Sequence, residues 1–113
     1  MSDCLFCRII AGELPSRKVY EDDRIFAIED LRPGAPTHIL LLPKRHLAGL
    51  AEASAADESL LGNLQLQAAE LARRRGLDRG YRTVLNVGPD AGQSVFHLHL
   101  HLLGGRPLAW PPG

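Results

Sequence analysis

Ser94-Val95-Phe96-His97-Leu98-His99-Leu100-His101-Leu102-Leu103 is the stretch on which the reading of this chain turns. Histidine and leucine alternate through it. Side chains on a β-strand alternate faces, so the pattern predicts a strand over residues 94–103. His97, His99 and His101 then share one face and Leu98, Leu100 and Leu102 the other. Three of the chain's five histidines fall within these five positions. Same-face neighbours stand about 6.5–7 Å apart and the outer pair about 13 Å. A metal ion sits about 2 Å from each ligating nitrogen, so all three could not easily hold one ion, although an adjacent pair could chelate. The spacing favours a division of labour. Near neutral pH an imidazole can serve as nucleophile, general base or proton donor, so the pattern points to catalysis rather than to a solvated polar face.

Just upstream, Gly88, Gly92, Gln93 and Ser94 form a glycine-rich turn that ends in a hydroxyl. Such a turn lets backbone approach closely and suits phosphate oxygens. Asn86 adds an amide at the end of the preceding strand, predicted over residues 81–87. The spacing is not that of a Walker-A loop, and the turn alone is a weak signal.

Farther out, residues 3–11 read as a short helix capped by Asp3, with Leu5, Phe6, Ile9 and Ile10 on its apolar face and Gly12 as its stop. Residues 18–21 and 24–28 read as a hairpin around Glu21-Asp22-Asp23. Arg32-Pro33-Gly34-Ala35-Pro36 is a loop, and the apolar run over residues 38–42, ended by Pro43, is a central strand. Residues 54–75 form the one long helix: Ser54 and Asp57 match a start signal, and Leu60, Leu61, Leu64, Ala68, Leu71 and Ala72 recur at helical spacing. Arg73, Arg74 and Arg75 in its last turn read as a solvated, dipole-favoured end. The order predicts a single α+β domain over residues 1–113, a largely antiparallel sheet with the long helix packed on one face.

Composition narrows the function. The chain of 113 residues is 45% hydrophobic and carries 13 Lys+Arg against 13 Asp+Glu, which removes the broad basic footprint of a nucleic-acid binder. A single nucleotide needs only a local field. The run from Ile39 to Pro43 falls far short of the roughly 20 residues needed to span a bilayer, and Met1-Ser2-Asp3-Cys4 lacks the features of a signal peptide. No membrane association and a cytoplasmic location are expected.

With these residues in view, His97-Leu98-His99-Leu100-His101-Leu102-Leu103 resembles the signature of the histidine-triad (HIT) superfamily, three histidines each followed by an apolar residue. Asn86, Gly92-Gln93-Ser94 and the tail Gly104-Gly105-Arg106 to Trp110-Pro111-Pro112-Gly113 resemble its histidine-triad nucleotide-binding (Hint) branch, as do Ala35-Pro36-Thr37-His38 and Pro43-Lys44-Arg45-His46. The resemblance covers nearly the whole chain. It implies a HIT-like fold with five strands, sheets joined across a homodimer, and hydrolysis of purine nucleoside 5'-phosphoramidates at the α-phosphorus. By resemblance, His99 is the nucleophile, transiently nucleotidylated. His38 and His101 support it or touch phosphate. His97 lies beside the phosphorus, positioned to assist the leaving amine, and Ser94 and the Gly92 region contact phosphate or leaving group. Asp30 resembles the carboxylate that binds ribose hydroxyls, against a local reading as a turn cap. Phe6, Ile9, Ile28 and Leu31 resemble the walls around the base. Trp110 resembles a tail residue that reaches the partner's site, against a reading as a terminal plug. The chemistry fits: a histidine nucleophile exchanges one P–N bond for another, and no metal is required for this.

Cys4 and Cys7 sit one helical turn apart. Some bacterial histidine-triad proteins resemble this chain in carrying that pair and bind zinc with it. The matching further ligands here are His46 and His97, and two Cys with two His make a closed structural zinc set. Many Hint-branch members lack the pair. Packing as small hydrophobes is the other reading, and redox chemistry is disfavoured without a thioredoxin-like context. Three competing functions stay open: a nucleotide- or zinc-binding interaction module with incidental activity, a dinucleoside polyphosphate hydrolase, and a zinc-dependent hydrolase using His97 and His99.

Overall fold

A computed structural model describes residues 3–113; Met1 and Ser2, part of the N-terminal stretch read for a signal peptide, lie outside the described residues. The alternation of leucine and histidine decides the layering. Leu98, Leu100 and Leu102 are fully buried in one core with Ile25, Ala27, Ile39 and Leu41. The long helix α2 (Glu58–Arg74) closes that core with Leu64, Ala68, Leu71 and Ala72. The opposite face carries a smaller core of Phe6, Phe26, Ile28, Leu40 and Leu42, covered by the short helix α1 (Leu5–Ile10).

Five antiparallel strands form the sheet: β1 (Lys18–Glu21), β2 (Ile25–Glu29), β3 (Thr37–Pro43), β4 (Tyr81–Val84) and β5 (Leu100–Gly104), in the order β1-β2-β3-β5-β4. The central β3 is apolar along nearly its whole length because both its faces are covered, Ile39 and Leu41 by α2, Leu40 and Leu42 on the α1 side. The β1–β2 hairpin turns on Asp22, whose Oδ1 accepts from the backbone N–H of Arg24 (2.8 Å) and Ile25 (2.9 Å). A 3₁₀ turn (Ala55–Asp57) precedes α2; there Asp57 Oδ2 accepts from Ser54 N–H (2.9 Å), and Asp57 also receives the Arg45 guanidinium. At the other end Arg73 and Arg74 pair with Glu70 and Arg75 with Glu29, so the three arginines decorate a solvated helix end. The expected α+β class, five-stranded antiparallel sheet, long helix and short N-terminal helix are all present. Among the described residues no helix is long and apolar enough to cross a membrane.

Three local expectations are corrected. Helix α1 is capped by Cys4, not Asp3: Cys4 is extended (φ −75°, ψ 119°) and its Sγ accepts from Cys7 N–H at 3.4 Å. Strand β5 begins at Leu100 rather than at residue 94, because the segment before it spends its backbone groups elsewhere. Leu98 N–H donates to Leu47 O at 2.7 Å, and His97 O accepts from a side chain at 2.8 Å. Strand β4 stops at Val84, opposite His101, one residue from the start of its partner β5.

Leu41, fully buried between helix and sheet, should cost about 2–5 kcal/mol of unfolding free energy when changed to Ala. Leu66→Ala, at an exposed position on α2, should stay within about 0.5 kcal/mol in the same denaturant titration.

Candidate active site and metal centre

Each triad histidine enters a different constellation. Backbone groups fix their protons, since a carbonyl can only accept and an amide N–H can only donate. His97 is fully buried, and its Nε2–H donates to Pro43 O at 2.8 Å, which leaves Nδ1 with a lone pair. His99 is the reverse: its Nδ1–H donates to His97 O at 2.8 Å, so the lone pair is on Nε2. His38 Nδ1 accepts from Gly34 N–H at 2.9 Å, which puts its proton on Nε2. That proton is donated to His101 Nδ1, 2.9 Å away, so His101 must carry its own on Nε2. His101 Nε2 is buried and has no hydrogen-bond partner among the described residues. A directed chain thus runs from Gly34 N–H through His38 to His101 and ends in an N–H with nothing to receive it. The rings of His99 and His101 lie 5.0 Å apart, centroid to centroid.

Burial keeps this chain neutral. It lowers the pKa of His38 below the ordinary histidine value, against the pull of the Asp30 carboxylate. His101 is pushed down to about 4 by burial first, then by the neighbouring His99 and His38. Burial also lowers His97. Asp30 does two things: Oδ1 accepts from Arg32 N–H at 2.7 Å, the turn cap allowed for in the sequence, and Oδ2 lies 3.4 Å from His38 Nε2. A cleft bordered by Asp30, Leu31, Pro33 and His38 opens beside it.

The four donors Cys4 Sγ, Cys7 Sγ, His46 and His97 lie within 4.8 Å of one another. His97 Nδ1 is 3.4 Å from Cys4 Sγ, 3.5 Å from Cys7 Sγ and 3.2 Å from His46 Nδ1, and Cys7 Sγ is 3.4 Å from His46 Nδ1. Zinc bond lengths in tetrahedral geometry imply ligand edges of about 3.3 Å for N···N and about 3.5 Å for N···S. The residues fit the ion. The His97 Nε2–H donated to Pro43 O is the outer-shell bond that ligating histidines usually make. Asp30, His38 and His101 also lie within 4.8 Å of one another, but they fit a metal poorly. Gly34 N–H holds the proton on His38 Nε2, the nitrogen that would have to ligate.

The remaining expected residues are placed as follows. Phe6 is buried and packs edge-on against His99 (5.0 Å) and His97 (5.9 Å). Ile28 is buried in the same cluster and Ile9 packs on it, while Leu31 is exposed beside Asp30. Gly92 has φ +89° and closes the turn as only glycine readily does. Gln93 is buried and shapes that turn: its Oε1 accepts from Gly88 N–H (2.9 Å), and its Nε2–H donates to Ala48 O (2.8 Å) and Val95 O (3.2 Å). Ser94 is exposed on the wall of a groove shared with Cys4, Cys7 and His46. Asn86 is half-buried just after β4, and Trp110 is exposed in the tail. Both ring nitrogens of His97 are directed away from His99, Nε2 to Pro43 O and Nδ1 to the cluster of Cys4, Cys7 and His46. Sequence reading missed Gly34 and Pro43, which act through backbone N–H and C=O groups that any residue carries; only the fold reveals them.

The HIT domain family model matches residues 11–108, and the chain belongs to that family. It is 49% identical to the 14 kDa zinc-binding protein of Zea mays over 99% of this chain and 89% of that one. Its structure superposes on a HIT family hydrolase from Legionella pneumophila with a TM-score of 0.97 at 50% identity, covering 98% of this chain and all of that one. A Zn-bound histidine triad family protein from Mycobacterium smegmatis matches with a TM-score of 0.80 at 33% identity, over 92% of this chain and 76% of that one. The chain therefore has the fold of HIT-family hydrolases.

Two measurements probe this geometry. Dialysis against zinc should load wild type tightly, and Cys7→Ser should lose the tight binding. Folding holds His101 neutral while the unfolded state takes up a proton below its ordinary pKa of 6.5. Stability should therefore be level above pH 6.5 and fall as pH drops towards 4. Melting curves of His101→Asn should show a shallower fall across that window.

Proposed function

We propose that this chain is a Hint-branch phosphoramidase that binds purine nucleotides and hydrolyses the P–N bond of nucleoside 5'-phosphoramidates through a nucleotidylated His99. The observation that carries the reading is the proton lock on His99: Nδ1–H is donated to His97 O, so in the neutral ring Nε2 keeps the lone pair. In the first displacement Nε2 forms a bond to the α-phosphorus while the bond from phosphorus to the amine nitrogen breaks. The amine departs with a proton taken from solvent. In the second, water attacks the phosphorus and gives up a proton to solvent, the P–Nε2 bond breaks with its electron pair returning to Nε2, and the nucleoside monophosphate leaves. His101 Nε2–H, buried and unpartnered, supplies a donor for a non-bridging oxygen on which charge develops. His38 holds that donor in the required tautomer. Asp30 takes the ribose hydroxyls with the oxygen not given to Arg32 N–H, and Phe6, Ile9, Ile28 and Leu31 flank the base. Gly92 and Ser94 border the phosphate side.

The working unit in this reading is a cytoplasmic homodimer. Two features support the dimer: β4 is an edge of the sheet, and Tyr81 on it and Trp110 in the tail are exposed apolar surface. The donor set of Cys4, Cys7, His46 and His97 holds zinc as a structural ion, and the displacements need no cofactor.

Release of AMP from adenosine 5'-phosphoramidate tests the reading. His99→Ala should lose several orders of magnitude in kcat, and His101→Ala about 10²–10³, the usual effect of removing one donor to a developing oxyanion. Tight AMP binding with wild-type turnover no faster than His99→Ala would reject the enzyme in favour of a binding module.

A further inference from the structure

We propose that His97 is a positioning residue through which the four-donor centre controls the tautomer of His99. This rests on the reading of His99 as nucleophile. Three polar groups of His97 are committed. Nε2–H is tied to Pro43 O, Nδ1 faces Cys4, Cys7 and His46, and the backbone carbonyl accepts the Nδ1–H of His99. Ligation at Nδ1 therefore immobilises the residue whose carbonyl selects the reactive nitrogen two positions on. Nothing else holds that carbonyl in a ladder, because β5 does not start until Leu100.

A second tether runs in parallel. Phe6 lies between Cys4 and Cys7 on α1, and its ring edge meets both His97 and His99. Helix α1 is six residues long, too short to persist by its own hydrogen bonds. Its anchorage comes from the packing of Phe6, Ile9 and Ile10 and from the two thiols at the centre. The carbonyl and the aromatic edge that orient the His99 ring are thus both carried on residues fastened to that centre. Loss of its closure frees His99 to exchange between Nδ1–H and Nε2–H, and only the first leaves Nε2 reactive.

The test is the tautomer itself, read by long-range proton–nitrogen correlation on protein labelled with ¹⁵N at histidine. Zinc-loaded wild type should show His99 wholly as Nδ1–H. Chelator-stripped wild type should show a mixture, reversed by added zinc. In parallel, kcat should fall about 10-fold or more on stripping with KM unchanged, the usual size of an outer-shell effect at a metal site. His46→Ala removes only the exposed ligand, so zinc occupancy can be titrated in folded protein should the stripped wild type unfold. The Nδ1–H fraction should then rise with occupancy, and Cys7→His, which keeps four donors, should hold the single tautomer when loaded. A His99 that stays Nδ1–H regardless of occupancy overturns the proposal. A tautomer that follows zinc in a protein with no phosphoramidase activity keeps the coupling and rejects the function.

Discussion

The hydrogen bond from His99 Nδ1–H to His97 O, 2.8 Å long, is the constraint on which the site depends. It joins two residues of one strand-like segment through a side chain and a backbone group. It removes the carbonyl from the sheet, and it decides which imidazole nitrogen keeps its lone pair. The same logic recurs around it. Pro43 O fixes His97 and Gly34 N–H fixes His38, which in turn fixes His101. Four imidazoles acquire defined tautomers from three backbone groups. No ionised partner is needed, which suits a site where burial drives histidines towards the neutral form.

The sheet makes this economical. One residue in two along residues 98–102 is leucine and belongs to the core beneath α2, so the histidines between them are presented to the opposite face without a loop to carry them. There α1 with its N-cap is the covering helix, and it brings the two thiols and Phe6. The core leucines Leu98 and Leu100, the cluster residue His97 and His99 are consequently neighbours on a short stretch of chain.

Much of this was legible in the sequence, and for identifiable reasons. The period-two alternation at residues 97–102 could only be satisfied by a face of histidines and a face of leucines. The apolar run of β3 required cover on both sides, and Ser54 with Asp57 marked the start of the long helix. Cys4, Cys7, His46 and His97, a set the sequence suggests, converge. What was not legible depended on groups that every residue has. Alternation could not show that β5 starts late, because the cause is a side chain taking a backbone carbonyl. Nor could it show the Cys4 cap, where a thiol does what a carboxylate was expected to do. The separation of the two histidine clusters, one suited to metal and the other to a directed N–H, rests on Pro43 and Gly34 and needed the fold.

In the proposed reaction Nε2 of His99 is the reacting atom because Nδ1 is committed to His97 O. The most direct test is to trap the covalent nucleotidyl-enzyme by rapid alkaline quench and establish by NMR which nitrogen of which histidine carries the phosphorus. The account expects the nucleotide on His99 and on Nε2. Attachment to Nδ1, or to any other histidine, would contradict it.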